Sequence, residues 1–200
     1  MSWNKGHLGV MVLALALLGI CAPSWAFSPR YSLYGHARVL GVEAPNLVKL
    51  KMTDRERVLT ARLIGVGSPR NKDRMKGLDP TLQSFISRHD IWAVSRNYVQ
   101  TVLMNKTVEV WARKWDPYDD KNRLLVYIKI PLGTDEPVDV NAEIIRRGLG
   151  FVTRDYVHVT YVDYRYLEDD AKKNRRGMWK GLSMDRISSL DHGGKKWHNH

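Results

Sequence analysis

Two arginines lie in apolar, strand-like segments of the sequence, and their side chains are suited to binding phosphate. Arg62 falls within residues 61–66, and Arg123 begins residues 123–128. A guanidinium group presents a rigid fork of N–H donors that matches the oxygens of a phosphate. If the two segments are neighbouring strands, both arginines can hold one phosphate group. The alternative is a structural role, in which each arginine pairs with a nearby acid.

The strands that carry these arginines are predicted to belong to two hairpins. The first joins the alternating residues 48–52 to residues 57–66 through a polar connector. The second joins residues 108–112 to residues 123–130 through a stretch rich in Asp, Pro and Asn, which are typical turn residues. A further strand-like pattern starts at Tyr31.

Helical periodicity completes the fold prediction. Apolar residues recur every three or four positions in residues 87–105, 139–147 and 162–176, and a polar surface loop is expected at residues 67–80. Five strands and about three helices predict an α+β fold that is mainly β, a five-stranded Greek-key barrel capped by helices. Barrels of this kind commonly bind oligonucleotides.

The N-terminus has the pattern of an export signal. Lys5 precedes an uncharged run of 15 residues at positions 8–22, Pro23 ends the run, and Ser24 and Ala26 are small residues where a signal peptidase cleaves. Cleavage after position 26 would place the protein in the periplasm or outside the cell. The alternative is an N-terminal membrane anchor, although a spanning helix needs about 20 apolar residues.

The predicted organisation is a signal peptide at residues 1–26, a folded domain at residues 27–181 and a loosely ordered tail at residues 182–200. The only cysteine, Cys21, lies in the signal, so disulfide and thiolate chemistry are excluded for the exported domain. No stable transmembrane span is expected after cleavage. The tail histidines match no structural zinc pattern; they are His192, His198 and His200.

The chain is strongly basic. It has 32 Lys and Arg residues against 21 Asp and Glu residues, a formal net charge of +11 at pH 7. Loss of Lys5 with the signal leaves about +10, which favours anionic partners. The candidate partners are nucleic acid, phospholipid and an acidic polymer of the cell envelope.

Several short motifs follow one another along residues 31–181. They are Val48-Lys49-Leu50, Arg62-Leu63-Ile64 with Pro69, Asn122-Arg123-Leu124-Leu125-Val126-Tyr127, Val140-Asn141-Ala142-Glu143-Ile144-Ile145-Arg146-Arg147-Gly148-Leu149, and Ala171-Lys172-Lys173 with Gly177-Met178-Trp179. In this order they resemble the staphylococcal-nuclease-like (thermonuclease) family. The resemblance implies an OB-fold barrel with helices.

The resemblance also implies a site. Well-known members of the family hold calcium with carboxylates, use a glutamate on the attacking water, and stabilise the transition state with two arginines. The arginines correspond to Arg62 and Arg123. The two metal carboxylates correspond to Asn46 and Gly67, and the glutamate corresponds to Arg70, so every acid of the implied site is replaced.

These replacements predict that hydrolysis is lost or strongly impaired. Arg70 would repel a cation, since unit charges 4 Å apart at an effective dielectric near 20 interact by roughly 4 kcal/mol. A missing general base costs about 10²–10⁴ in rate. We therefore expect a binding protein rather than an enzyme, without a cofactor. Calcium enters only under the alternative of an active, secreted, metal-dependent endonuclease.

That alternative requires acids recruited from elsewhere in the sequence. The candidates are Glu43, Asp119 and Asp120, together with Asp73 and Asp79 in the predicted loop. The competing interpretation is that Asp119 and Asp120 serve a turn, or pair with an arginine, and that Glu43 is a solvated strand residue.

The aromatic positions of the family's nucleotide pocket correspond to Lys121, Arg154 and Tyr156. Two basic replacements favour contacts with the sugar-phosphate backbone over base stacking. Tyr156 also begins a run of tyrosines that continues with Tyr161, Tyr164 and Tyr166. Such a run is either an aromatic stripe or part of the core and its rim.

The sequence therefore predicts an exported protein that binds nucleic acid or another phosphate-rich polyanion through Arg62 and Arg123. Arg70, Lys121 and Arg154 are expected to enlarge the positive surface. Besides an active endonuclease, a second alternative is an envelope protein-interaction module, in which the barrel is only a scaffold for a protein partner.

Overall fold

The computed structural model describes residues 31–70, 79–133, 135–156, 158–183 and 185. The predicted signal peptide with Cys21, the candidate acid Asp73 and most of the predicted tail, including its histidines, lie outside these ranges.

The described chain contains eight strands, four α-helices and a final 3₁₀-helix. In chain order they are β1 (Tyr31–Ala44), β2 (Leu47–Met52), β3 (Val58–Leu63), β4 (Val66–Gly67), α1 (Pro80–Arg88), α2 (Ile91–Leu103), β5 (Thr107–Arg113), β6 (Leu124–Leu132), β7 (Asp135–Asp139), α3 (Val140–Arg146), β8 (Phe151–Val152), α4 (Tyr161–Lys173) and the 3₁₀-helix (Gly177–Gly181).

Five strands close into a ring. The main sheet has the order β3-β2-β1-β5-β6-β7, and β3 also pairs in parallel with β6. Both predicted hairpins are confirmed, since β2–β3 and β5–β6 are antiparallel pairs. The mainly β, helix-capped barrel predicted from the sequence is therefore the observed architecture.

Three strands were not predicted. β4 and β8 are two residues each and pair only with one another, so they are too short to show a periodicity. β7 has the sequence Asp-Glu-Pro-Val-Asp and lies at the end of the sheet order. Proline is tolerated on such an edge strand, where one side of the backbone needs no partner.

The helix predicted at residues 87–105 is observed as α2, and the helix α1 that precedes it was not predicted. Asp79 caps α1 by accepting the Thr81 N–H at 2.8 Å, and a proline occupies its first turn. Asp90 has a left-handed backbone conformation (φ 40°), which separates the two helices, and its side chain caps α2 by accepting the Ala93 N–H. Asp79 is thus a helix cap and was missed as one, because the preceding loop obscured the start of the helix.

The core fills the barrel and continues beneath the helices. Alternate residues of β2 (Val48, Leu50 and Met52) are at most 1% exposed, as the predicted alternation requires. A second, smaller apolar cluster joins α1, α4 and the 3₁₀-helix and includes Trp179 and Leu182. The packed structure therefore extends to Leu182, the first residue of the predicted tail.

Asn141 ties the two arginine-bearing strands to α3. Its fully buried side chain donates to the carbonyl oxygens of Ile64 and Val126, both at 3.0 Å, and accepts the N–H of Ile128 at 3.2 Å. One amide thus satisfies three backbone groups of β6 and of the chain just after β3.

In the part of the chain that the structure describes, no helix is long and apolar enough to cross a membrane.

Candidate nucleic-acid interface

The two candidate arginines lie at the closure between two neighbouring strands, Arg62 within β3 and Arg123 just before β6. Arg62 of β3 is the register partner of Leu125 in the parallel β3–β6 pair. Arg123 lies two residues before that partner, immediately ahead of β6. The barrel closure at β3–β6 is therefore the feature that brings these two distant parts of the sequence together.

Arg123 is held by Asp119 in a buried ion pair. Nε of Arg123 donates to Oδ2 of Asp119 at 2.7 Å, and Nη2 lies 2.6 Å from the same oxygen. Oδ1 of Asp119 accepts the backbone N–H groups of Lys121 and Arg123. The carboxylate is fully buried, while 16% of the arginine side chain is exposed. The structural pairing considered from the sequence is thus present for Arg123.

The environment of Asp119 favours its charged form. Burial acts to raise the pKa of this carboxyl, but the hydrogen bonds from the Arg123 side chain and from the backbone N–H groups of Arg123 and Lys121 outweigh burial, so the pKa lies below its ordinary value. Asp119 is therefore committed to the turn and to Arg123, which leaves it unsuited to recruitment as a metal ligand.

Arg62 pairs with an acid that the sequence did not suggest. Its Nη2 donates to Oδ2 of Asp155 at 3.0 Å, and the two side chains are 17% and 11% exposed. Thr153 donates its hydroxyl to Oδ1 of Asp155 at 2.6 Å, which fixes the carboxylate. The guanidinium carbon of Arg62 also lies 5.4 Å from the centre of the Tyr156 ring. Arg62 and Asp155 are 93 positions apart in the sequence, which explains why no local pattern revealed the pair.

Both ion pairs leave part of each guanidinium available. Among contacts between described residues, Arg62 uses Nη2 alone toward Asp155, and Arg123 uses Nε and Nη2 toward Asp119. An arginine carries five N–H groups, so each still has donors for another acceptor. A carboxylate behind the arginine also fixes its orientation, which reduces the entropy lost on binding.

Asn46 has a structural role at the position of the first implied metal carboxylate. It is 7% exposed, and Nδ2 donates to the carbonyl oxygen of Val66 at 2.9 Å. The backbone carbonyl oxygen of Asn46 accepts the Leu63 N–H at 3.0 Å. A carboxylate has no hydrogen to donate to Val66, so aspartate cannot replace this contact.

Gly67, at the position of the second implied carboxylate, is packed against an aromatic ring. Gly67 of β4 pairs with Phe151 of β8, and a Cβ atom on this glycine would overlap the Phe151 ring. The space that a side chain would occupy is therefore filled. A carboxylate could enter only if Phe151 moved.

Arg70, at the position of the implied glutamate, contacts an aromatic residue of α2. Its guanidinium carbon lies 4.7 Å from the centre of the Trp92 ring, a cation–π contact. Because calcium prefers several oxygen ligands, an amide engaged as a donor, a glycine and a cation do not fit that ion. Within the described ranges, no group of three or more His, Cys, Asp or Glu residues is placed to hold a metal.

A groove beside Arg123 gathers three cations. It has a volume of about 410 Å³, and its charged lining residues are Glu43, Arg57, Lys121 and Arg123. Arg57 was not singled out from the sequence, because the connector before β3 gives no functional pattern. Leu47, another lining residue, is the register partner of Arg62, so the groove lies next to that arginine as well.

The remaining candidate acids differ in position. Glu43 is an exposed residue of strand β1, as the competing interpretation expected, and it also lines the groove. Asp120 is exposed in the turn before Arg123, which agrees with its expected turn role.

The three residues at the positions of the implied nucleotide pocket have different neighbours in the structure. Lys121 lines the groove with Arg123. Tyr156 contacts Arg62, whereas the guanidinium carbon of Arg154 lies 4.6 Å from the Tyr161 ring of α4. Tyr164 belongs to the core and donates its hydroxyl to Asp139, so the tyrosine run does not form one continuous stripe.

Comparison with known families agrees with this architecture. The family model described as "Staphylococcal nuclease homologue" matches residues 60–181. The chain belongs to this family of nuclease-like proteins, a family associated with nucleic acids. No curated protein matches the chain.

Proposed function

We propose that this protein binds nucleic acid or another phosphate-rich polyanion and has lost, or strongly weakened, metal-dependent hydrolysis. The observation that carries the proposal is the contrast within one site. Arg62 of β3 and Arg123, just before β6, lie at the closure between these paired strands, while Phe151 fills the space in front of Gly67. Donors for phosphate are present without the oxygen ligands that a calcium ion needs.

The surface next to the groove supports a polyanionic ligand. Arg38 of β1 stands directly opposite Lys51 of β2, and both are exposed. Like charges at opposed positions destabilise a sheet, and the ion pair of Lys51 with Glu56 at 3.6 Å is itself exposed. A bound polyanion would relieve this repulsion, so the cost in the free protein is consistent with a binding surface.

Two exposed cations test the groove without disturbing the buried ion pairs. The double variant Arg57→Ala/Lys121→Ala should bind a single-stranded oligonucleotide more weakly. If both cations contact phosphate, the slope of log affinity against log salt should fall in magnitude by about 1.4, or about 25-fold in affinity at 0.1 M salt. Fluorescence polarisation across a salt series measures both.

The matched control removes the same charge elsewhere. Lys106 and Lys180 are exposed, and neither is among the groove's lining residues. Lys106→Ala/Lys180→Ala should change binding much less than the groove variant. Equal losses in the two double variants would show that only net charge matters and would remove the groove from the proposal.

One observation favours the active-endonuclease alternative. Glu43 lines the same groove as Arg123, so one carboxylate faces the candidate phosphate site. Incubation of the purified protein with single-stranded DNA, with and without calcium or a chelator, separates the two functions. Chelator-sensitive cleavage that disappears in Glu43→Gln would establish hydrolysis and overturn the proposed loss of activity.

We also propose that the protein is exported and cleaved after Ala26. The support is the pattern of a basic start, an apolar run and small residues before the cleavage point. N-terminal sequencing of the protein recovered from the expressing cells should read from Phe27. An intact N-terminus in the membrane fraction would support the anchor instead. Capture of one protein partner, with no affinity for polyanions, would support the envelope interaction module.

A further inference from the structure

A buried histidine lies behind the ion pair of Arg62. His158 is 6% exposed, and its ring packs against Gly65, three residues after Arg62, where a Cβ atom would overlap it. We propose that His158 is a positioning residue for Arg62: the neutral ring holds Asp155 against this arginine, and protonation of the ring releases that hold, so that phosphate binding weakens in acid. The inference rests on the proposed function, because it adds a pH response to the phosphate site.

Three contacts in sequence connect the histidine with the arginine. Nε2 of His158 bonds the carbonyl oxygen of Thr153 at 3.2 Å. The hydroxyl of the same threonine donates to Oδ1 of Asp155 at 2.6 Å, and Nη2 of Arg62 donates to Oδ2 at 3.0 Å. A carbonyl oxygen can only accept, so Nε2 carries the hydrogen of the neutral ring. The ring thus fixes the residue that fixes Asp155.

The surroundings of the ring are aromatic and offer no partner for a charged imidazolium. The rings of Tyr161 and Tyr164, both in α4, have their centres 5.6 Å and 5.8 Å from that of His158. The charged groups behind them are already engaged, since Arg154 lies over the Tyr161 ring and Asp139 accepts the Tyr164 hydroxyl. No acid among the residues that the structure describes forms an ion pair with this histidine.

A second proton on the ring would go to Nδ1. This nitrogen lies 3.3 Å from the hydroxyl of Thr160, which donates in turn to the hydroxyl of Tyr127 in β6. Burial lowers the pKa of His158 below its ordinary value of about 6.5, and the hydrogen bond with the Thr153 carbonyl oxygen opposes this only in part.

The sign of the pH response follows from this lowered pKa. If the chain around His158 opens, the ring regains its ordinary pKa and binds a proton more tightly than it does in the closed conformation. The closed conformation therefore loses stability as the pH falls below about 6.5, until the lower pKa of the buried ring is reached. Acid thus favours release of the chain that carries Asp155.

Release of Asp155 should weaken phosphate binding. The carboxylate orients the guanidinium of Arg62, so its loss increases the entropy that binding must remove. Acid otherwise strengthens the binding of a polyanion, because protonation of exposed histidines such as His36 and His89 adds positive charge. The response expected from His158 therefore has the opposite sign to the general electrostatic effect.

The test compares His158→Gln with the unmodified protein at two pH values. Glutamine retains an N–H donor for the Thr153 carbonyl oxygen but cannot become charged. The probe is a fluorescent single-stranded oligonucleotide, and fluorescence polarisation is measured at pH 7.5 and pH 5.0. The two proteins should bind alike at pH 7.5. At pH 5.0 the unmodified protein should bind about 5-fold more weakly than the variant, the loss of one phosphate contact at 0.1 M salt.

Two further variants separate positioning from a general effect on the fold. His36 is exposed on β1, and His36→Gln should keep the pH response of the unmodified protein. In an Arg62→Ala background, His158→Gln should make no difference at pH 5.0, because the contact that responds to pH is already absent. A difference that persists without Arg62 would show that His158 acts on the whole fold and would overturn the inference.

The unmodified protein supplies a test that needs no change at His158. In a titration followed by nuclear magnetic resonance, the Nε–H signal of Arg62 should shift with the same midpoint as the ring signals of His158. That midpoint should lie below the ordinary value of about 6.5. Titration of the ring without a response at Arg62 would overturn the inference.

The binding experiment also separates this inference from the proposed function. Equal binding by the unmodified protein and His158→Gln at both pH values, or weaker binding by the variant at pH 5.0, would overturn the positioning role and leave polyanion binding in place. Failure of the unmodified protein to bind the oligonucleotide at pH 7.5 would overturn both.

Discussion

The ring of Phe151 lies directly against Gly67, where it fills the space that any larger side chain would need. The contact joins the short strands β4 and β8 and stands where the family resemblance implied a metal-binding carboxylate. Phe151, which is distant from Gly67 in the sequence, thus leaves no room for a larger side chain at that position unless its ring moves.

Gly67→Ala should destabilise the fold through this contact. The added methyl group would force the Phe151 ring or the backbone to move, which should lower the free energy of unfolding by about 1–3 kcal/mol. Urea denaturation measures the effect. Gly41→Ala is the matched control, because a Cβ atom there would have no neighbour within 4 Å. If the contact is responsible, Phe151→Leu should reduce the cost of Gly67→Ala, and strict additivity would argue against it.

Asn46→Asp should lower the stability of the fold and should not create a calcium site. The carboxylate cannot donate to the Val66 carbonyl oxygen, so this buried oxygen loses its partner. The loss should lower the free energy of unfolding by about 1–3 kcal/mol. Isothermal titration with calcium and urea denaturation test the two parts. Asn97 is exposed on α2, and Asn97→Asp should change stability by no more than about 0.5 kcal/mol. Calcium-dependent stabilisation of Asn46→Asp would show that the site is closer to a metal centre than its contacts indicate.

Asp119 should contribute to the dependence of stability on pH. Its pKa in the folded protein lies below the ordinary value, so its ion pair stabilises the fold above the unfolded pKa of about 3.9. This contribution is lost as the pH falls through the folded pKa. Asp119→Asn should therefore be less stable at pH 7, by about 1.5–3 kcal/mol, and the difference should shrink below about pH 4.

Chemical denaturation at pH 7, 5 and 3.5 measures this difference. Asp120→Asn is the control, since Asp120 is exposed in the same turn. It should show neither the loss at pH 7 nor the convergence in acid. A constant gap between the unmodified protein and Asp119→Asn across this range would contradict a charge-dependent role for the pair with Arg123.

Asn141→Ala should be the most damaging of these substitutions. It removes three buried hydrogen bonds to Ile64, Val126 and Ile128 and leaves their backbone groups unpaired. Each unsatisfied group costs about 1–3 kcal/mol, so a loss of about 4 kcal/mol is expected. Thermal unfolding measures it, with Asn97→Ala as the exposed control. A loss below about 1 kcal/mol would mean that water or relaxation replaces these bonds.

Most of the barrel could be predicted from the sequence. The alternation of Val48, Leu50 and Met52 with lysines fixes which face of β2 is buried, and this period is local information. The helix of residues 139–147 was recovered closely as Val140–Arg146, because an aspartate cap, an apolar face and a following glycine mark it. The helix α1 was missed, since it directly follows a polar stretch that was predicted as a loop up to residue 80.

The candidate site was predicted in part. Its arginines were identified and the Arg123 pairing with Asp119 was one of the stated alternatives, because those residues are four apart. The partner of Arg62 was not identified. This contact depends on how residues 154–156 pack against β3, which only the folded chain determines.

The sequence by itself determined the strand pattern and the basic charge, which follow from residue identity and local periodicity. Only the tertiary structure decided that Phe151 fills the space at Gly67 and that Asp155 reaches Arg62. Such contacts join positions about 85–95 residues apart, and barrel closure rather than local preference brings them together.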